Sequence, residues 1–342
     1  MKKIPFFTLP DGRLASIYCL RLNDGFGIDI CDYGATVTGL FVPDRNGTLR
    51  DVVLGWKEPE VYLRNPGYLG ATVGRVPNRI GGGRFTIDGK IYQSCLNDRQ
   101  HSTLHGGFGY SHRLWEVACC SAREIVLHLT SCDGDAGFPG KLEVFARYTI
   151  TPDHTVEVVV TADADAPTIA DFTNHTYFNL GGENSGSCAG HHITLAADRV
   201  TEVDEFLVPT GKLLDVTGTR FDLRQGKSFA DIYAAAAVGF DDNFILGESD
   251  NVMHRNAAVV YAETSGIEMK FHTDRPGIQV YMGAHLDNAP CGKSGKYVKY
   301  SGFCLESQCW PDAINHPEFP QIFRDAEHPF QGYTCWQFSV KK

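Results

Sequence analysis

Leu142-Glu-Val-Phe-Ala-Arg-Tyr-Thr-Ile-Thr151, followed after a three-residue break by Thr155-Val-Glu-Val-Val-Val-Thr-Ala-Asp163, is the stretch on which the fold reading turns. Both runs are rich in β-branched and aromatic residues and end at turn chemistry, which is the pattern of paired strands. Upstream, Leu114–Cys120 and Ile125–Ser131 read the same way, and Phe85–Ser94 reads as a hairpin around Asp88-Gly89. The first fifty residues alternate in short runs, Ser16–Asn23, Phe26–Cys31 and Ala35–Pro43, broken by Asn-Asp-Gly, Asp-Tyr-Gly and Asp-Arg-Asn-Gly, with Asp51–Gly55 continuing. Downstream, strand signals recur at His192–Ala197, Glu268–Asp274, Gln279–His285, Tyr300–Ser307 and Thr334–Val340. A short helix is expected near Phe229–Val238. Strands from end to end with almost no helical periodicity predict an all-β fold, most simply two large packed antiparallel sheets. Without linker, low-complexity segment or fixed repeat, residues 1–342 read as a single domain.

Composition narrows the function classes. A formal charge of −10 argues against nucleic acid or an anionic membrane surface as partner. Pro5, Pro10 and Asp11 interrupt any signal-like hydrophobic region, and no apolar run approaches membrane-spanning length. Eleven scattered cysteines without C-x-x-C read as reduced thiols. A cytoplasmic chain, monomer or homodimer, is expected. Sequons stand at Asn46 and Asn174, the second inside the proposed site.

The chemistry concentrates in Asp171-Phe-Thr-Asn-His-Thr-Tyr-Phe-Asn-Leu-Gly-Gly182. His175 between Asn174 and Asn179, beside Tyr177 and Phe178, reads as an apolar wall with polar tips, the makeup of a sugar cleft. The alternative is a core histidine satisfied by a backbone carbonyl. Gly70–Arg84 is a glycine-dense loop without the G-x-x-x-x-G-K-[ST] of a phosphate-binding loop. Within it Arg79, next to Asn78, is either a sugar-hydroxyl donor or a structural loop arginine. His105, in Leu104-His-Gly-Gly107, reads as exposed by its neighbours. Asp241 lies between aromatics, and Glu306 sits in the apolar run Gly302-Phe-Cys-Leu-Glu-Ser-Gln308, where an acid without a partner or a task is costly. Asp312 reads as a turn or cap residue, and His191-His192 as surface. No H-E-x-x-H or Cys/His cluster offers a metal site, so neither metal nor organic cofactor is expected.

Seven segments appear in order: Gly74-Arg-Val-Pro-Asn-Arg-Ile80, Leu104-His-Gly-Gly107, Gly137-Phe-Pro-Gly140, Asn174-His-Thr-Tyr-Phe-Asn-Leu180, Phe240-Asp-Asp-Asn-Phe244, Pro276-Gly-Ile-Gln279 and Leu305-Glu-Ser-Gln-Cys-Trp-Pro-Asp312. On these the chain resembles the aldose 1-epimerases, also called galactose mutarotases, from about Gly12 to the C-terminal strand. Pro77 stands where that family usually has alanine, and Cys309 where an aromatic or polar residue is more usual. The resemblance implies a large antiparallel β-sandwich with an open sugar-binding cleft. It implies Glu306 as catalytic base and His175 as catalytic acid, with Asn78, Arg79, His105, Asp241 and Gln279 holding the sugar or supporting the pair. The implied substrate is a neutral hexose such as galactose or glucose. The rival readings are an enzyme for hexose 6-phosphate, which would need more basic groups near the site, and a non-catalytic carbohydrate-binding module. For the acid–base reaction, Asp241 and Glu306 are expected to raise the pKa of His175, so that the imidazolium persists near neutral pH.

Overall fold

The computed structural model describes residues 1–236, 238–247 and 256–341. Its largest sheet has nine strands, in the spatial order Glu116–Cys120, Glu124–Ser131, Leu142–Thr151, Thr155–Ala164, Phe330–Val340, Ile267–Thr273, Asn256–Ala262, His191–Leu195 and Lys227–Ser228. The pair on which the sequence reading turned lies in this sheet and is in register from Leu142↔Ala164 to Thr151↔Thr155. Along Leu142–Thr151 every second residue is buried, as a strand with one face on a core requires.

Two further sheets cover that face. Five strands run in chain order from Lys2–Thr8 through Leu14–Arg21, Gly27–Cys31 and Thr36–Pro43 to Leu49–Asp51. Six strands are ordered Tyr177–Phe178, Phe303–Gln308, Gly277–Tyr281, Asp241–Leu246, Ala197–Val203 and Pro209–Asp215. Phe26 meets Phe338, and Phe178 sits edge-on to Trp336 at 5.1 Å, so each smaller sheet packs on the large one. One continuous hydrophobic core includes Leu20, Ile28, Val144, Phe244, Leu305 and Trp336, drawn from all three sheets. The pairings between strands are antiparallel, and the all-β sandwich expected from the sequence is the fold.

The expected helix forms over Phe229–Ala235, capped by the Ser228 hydroxyl accepting from the Asp231 amide; Ala237, inside the expected range, lies outside the described residues. Strands that escaped the strand signals include Lys2–Thr8, Pro209–Asp215, Asp241–Leu246 and Asn256–Ala262. The first contains Pro5, which an edge strand tolerates, and the ladder shifts register there between Pro5 and Phe7. The second is mostly exposed and so carries little apolar pattern. No helix among the described residues is long and apolar enough to cross a membrane.

Candidate active site

The site is built on the face of the six-stranded sheet turned away from the core. In Phe303–Gln308, Phe303 and Leu305 enter the main core while Cys304 and Glu306 project from the other face. Register then aligns Asn243, Gln279 and Glu306 side by side across three strands, with Asp241, Tyr281, Cys304 and Tyr177 in the next row. Diagonally between the rows, the Gln279 amide donates from Nε2 to Asp241 Oδ1 at 2.8 Å.

Two loops close over this face. Thr72–Val73 pairs with Thr173–Asn174, which delivers His175. Arg79–Gly81 pairs with Ser102–Leu104, which delivers His105. Asn78 and His105 both hold left-handed backbone, at φ 57° and 53°. They lock one another: the His105 amide donates to the Asn78 carbonyl at 2.9 Å, and the Asn78 amide donates to His105 Nδ1 at 3.2 Å. Gly106, at φ 67°, must be glycine, since a Cβ there would lie 2.1 Å from the Gly74 carbonyl oxygen.

The result is a cavity of about 280 Å³ lined by all seven sequence-predicted site residues, Asn78, Arg79, His105, His175, Asp241, Gln279 and Glu306. At its centre His175 Nε2 lies 3.6 Å from Glu306 Oε1. His175 stacks on Tyr177 at 5.1 Å and meets the edge of His105 at the same distance. Arg79 donates from Nε to Asp98 at 2.7 Å, so part of its charge is already matched. Glu306 Oε2 and Gln279 Oε1 are buried and find no partner among the described residues, so two polar atoms of cavity-lining residues stand unsatisfied.

Burial sets the electrostatics. Glu306 is 2% exposed, and burial, with the negative charge of Asp241 behind it, pushes its carboxyl well above the usual range while Arg79 works against the shift. Burial lowers the imidazole of His175 to about 4. This overturns the expectation that neighbouring carboxylates would raise it: in a dry wall the cost of removing an imidazolium from water exceeds the attraction of charges that are themselves partly neutralised. Burial, then the positive charges of His175 and Arg79, also lower His105 well below the ordinary value.

Several other sequence readings are corrected. His105 is buried rather than exposed, because Tyr68 packs against its ring at 4.7 Å. Asn174 and Asn179 are not tips of the cavity. Asn174 donates to the Gly70 carbonyl and Tyr148, and Asn179 to the Gly186 and Ser301 carbonyls, so both brace the backbone. His191 is buried, accepting the Leu180 amide at Nε2 with Nδ1 on the Cys188 carbonyl, whereas His192 is exposed as read. Asp312 does stand at a turn, but its side chain holds the Gly81 amide and Asn315. Sequence reasoning passed over Tyr68, Arg99, Leu207, Tyr281 and His285, which also line the cavity. Tyr281 was findable two residues after Gln279 on the same strand face; Leu207 and Arg99 come from loops with no such signal.

His105, His175 and Glu306 place one ligand-type atom each within 4.8 Å of one another, a grouping that could hold a metal and that spacing along the chain could not reveal. The hydrogen bond at His105 does not fit that use. Its Nδ1 accepts the Asn78 amide, so the neutral ring carries its proton on Nε2 and presents a donor, not a lone pair.

The family model described as Aldose 1-epimerase matches residues 16–334. Galactose mutarotase of Rattus norvegicus is 42% identical over 98% of this chain and 97% of that protein. Aldose 1-epimerase of Escherichia coli (strain K12) is 35% identical over 96% of each. Among solved structures, a GalM/aldose epimerase homologue from C. elegans superposes with a TM-score of 0.89 at 29% identity, covering 96% of this chain and 100% of that one. Galactose 1-epimerase from Lactobacillus acidophilus superposes at 0.86 with 26% identity, covering 100% of this chain and 99% of that one. The chain belongs to the aldose 1-epimerase family.

Proposed function

We infer that this chain is an aldose 1-epimerase that interconverts the anomers of a neutral hexose by cofactor-free acid–base catalysis. One observation carries the reading: a buried imidazole and a buried carboxyl 3.6 Å apart, inside a cavity whose remaining polar groups are hydroxyl-binding types. At about 280 Å³ it lies just below the roughly 300–1,000 Å³ of pockets for drug-sized ligands, a size suited to one small sugar.

Ring opening needs a base on the C1 hydroxyl and an acid on the ring oxygen. Glu306 takes the hydroxyl proton as C1=O forms and the C1–O5 bond breaks, and His175 Nε2 gives its proton to O5. Rotation about C1–C2 turns the aldehyde over, and closure reverses both transfers on the other face. Each transfer contributes on the order of 10²–10⁴-fold. The pair carries one proton throughout, either as carboxylate and imidazolium or as carboxylic acid and neutral imidazole. The pKa directions favour the second arrangement in the empty cavity. Opening from the first therefore discharges a buried ion pair, which assists the step.

Asn78, Arg79, His105, Asp241 and Gln279 are assigned to the sugar hydroxyls, His105 as an Nε2–H donor and Gln279 and Asp241 as a joined donor–acceptor set. The common hydrophobic core of the three sheets supports treating residues 1–342 as one domain. Eleven unpaired cysteines suit a reducing, cytoplasmic setting.

The test is polarimetry of freshly dissolved α-galactose with purified protein. Equilibration should be much faster than in buffer, and dialysis against a chelator should leave the rate unchanged. A trace no faster than buffer would leave a binding module, and loss of rate on chelation with recovery on adding a divalent ion would end the cofactor-free reading.

A further inference from the structure

His175 is held at both ring nitrogens by one strand. Nε2 faces Glu306 Oε1 at 3.6 Å, and Nδ1 lies 3.5 Å from Cys304 Sγ. The two contacts are two residues apart on Phe303–Gln308 and share a face, while Tyr177, two residues after His175, pairs directly opposite Cys304. Cys304 is the side chain that meets Nδ1, and the backbone of His175 itself also acts on the ring as a hydrogen-bond partner that favours its protonated form.

A nitrogen that gives up and regains a proton must hold a lone pair in one of its states. Resting on the role proposed above for Nε2, the proton that the ring keeps throughout then belongs on Nδ1. The neutral pair asks for the same tautomer, since a protonated Glu306 facing Nε2 needs an acceptor there. We propose that Cys304 is a positioning residue whose sulfur accepts from the Nδ1–H of His175, fixing that tautomer and leaving Nε2 to carry protons to and from the sugar.

The chemistry of sulfur suits the task. Cys304 is fully buried, and burial pushes its thiol well above the ordinary range, so the group stays uncharged. A neutral thiol is a weak acceptor and orients the ring without stabilising its cation as a carboxylate would. The other titratable groups facing the imidazole are Glu306 from the same strand, Tyr177 from its own segment, and Tyr68 and His105 from the covering loops. His105 is fixed the opposite way, with Nδ1 accepting the Asn78 amide. The two adjoining rings thus present different faces to the cavity, one a fixed donor and the other a nitrogen free to exchange its proton.

Two-dimensional NMR of ¹⁵N-histidine-labelled protein near neutral pH tests this, with the His175 signals assigned by their loss in His175→Asn. In the wild type, His175 should show a protonated Nδ1 and a pyridine-like Nε2. Cys304→Ala should shift the ring towards the Nε2–H tautomer and lower kcat by about 10–100-fold, as loss of a ring-orienting partner does elsewhere. Cys304→Ser, which restores an acceptor, should recover the tautomer and most of kcat. An Nε2–H tautomer in the wild type overturns the proposal, as does an unchanged tautomer or an unchanged kcat in Cys304→Ala. Should the alanine variant fail to fold, the wild-type and serine spectra decide alone. The tautomer is read without turnover, so an inactive wild type would count against the epimerase reading separately.

Discussion

Glu306 and His175 exchange their ordinary ionisation habits when the fold buries them together. The acid limb of kcat/KM should therefore belong to the imidazole, near pH 4, and the alkaline limb to the carboxyl of Glu306. Below the first the pair gains a second proton, and above the second it loses its last; each limb describes the coupled pair. Asp241 raises the Glu306 carboxyl through its charge, so Asp241→Asn should move the alkaline limb to lower pH. Asparagine keeps an acceptor for Gln279, which separates the charge from the hydrogen bond. An alkaline limb that stays in place would remove Asp241 from this role. Glu306→Gln keeps shape and loses the exchangeable proton. It should cost about 10²–10⁴-fold in kcat with sugar still bound, and a variant within tenfold of wild type by polarimetry would displace Glu306 as the base.

Among the elements, the segment from Gly74 to Gly81 depends on Arg75, which the sequence left without a task. Its guanidinium is fully buried and donates to the carbonyls of Cys132, Pro139 and Gly140 and to the hydroxyls of Ser131 and Thr168. It thereby ties the segment bearing Asn78 and Arg79 to the Gly137-Phe-Pro-Gly140 turn, two motifs that are far apart in the chain. Arg75→Met keeps much of the bulk and strands several buried acceptors, each worth about 1–3 kcal/mol when left unpaired. We expect a loss of at least about 3 kcal/mol, measured as a lower denaturant midpoint at constant slope. A midpoint close to wild type would mean that the carbonyls find other partners. Arg275 is likewise taken up, paired with Asp171 at 2.6 Å, so neither arginine is a cation of the cavity wall.

For the molecule as a whole, the charge of −10 and the negative charge of Asp241 in the cavity set a field that disfavours anionic sugars. Of the two arginines that line the cavity, Arg79 is matched by Asp98, which leaves Arg99 on the exposed side. Neutral hexose should therefore show a higher kcat/KM than its 6-phosphate, compared at equal ionic strength. The reverse order would assign Arg99 a phosphate-binding role and change the substrate class.

Strand periodicity along the chain determined the all-β class, because alternation reports which face of a strand is buried without knowledge of its partner. Residue type in context also marked Glu306 and His175, since a carboxyl or an imidazole in an apolar run carries a desolvation cost that a fold rarely bears idly. Registers across strands were not legible, and they are what bring Asn243, Gln279 and Glu306 into one row. Nor did local sequence distinguish His191, a satisfied core histidine, from His175: both are flanked by turn and strand residues, and only the partners supplied from distant strands differ. The direction of the His175 shift was decided by tertiary structure for the same reason. Charges can be counted along a chain, but the water they lose cannot, and here the lost water outweighs the charges.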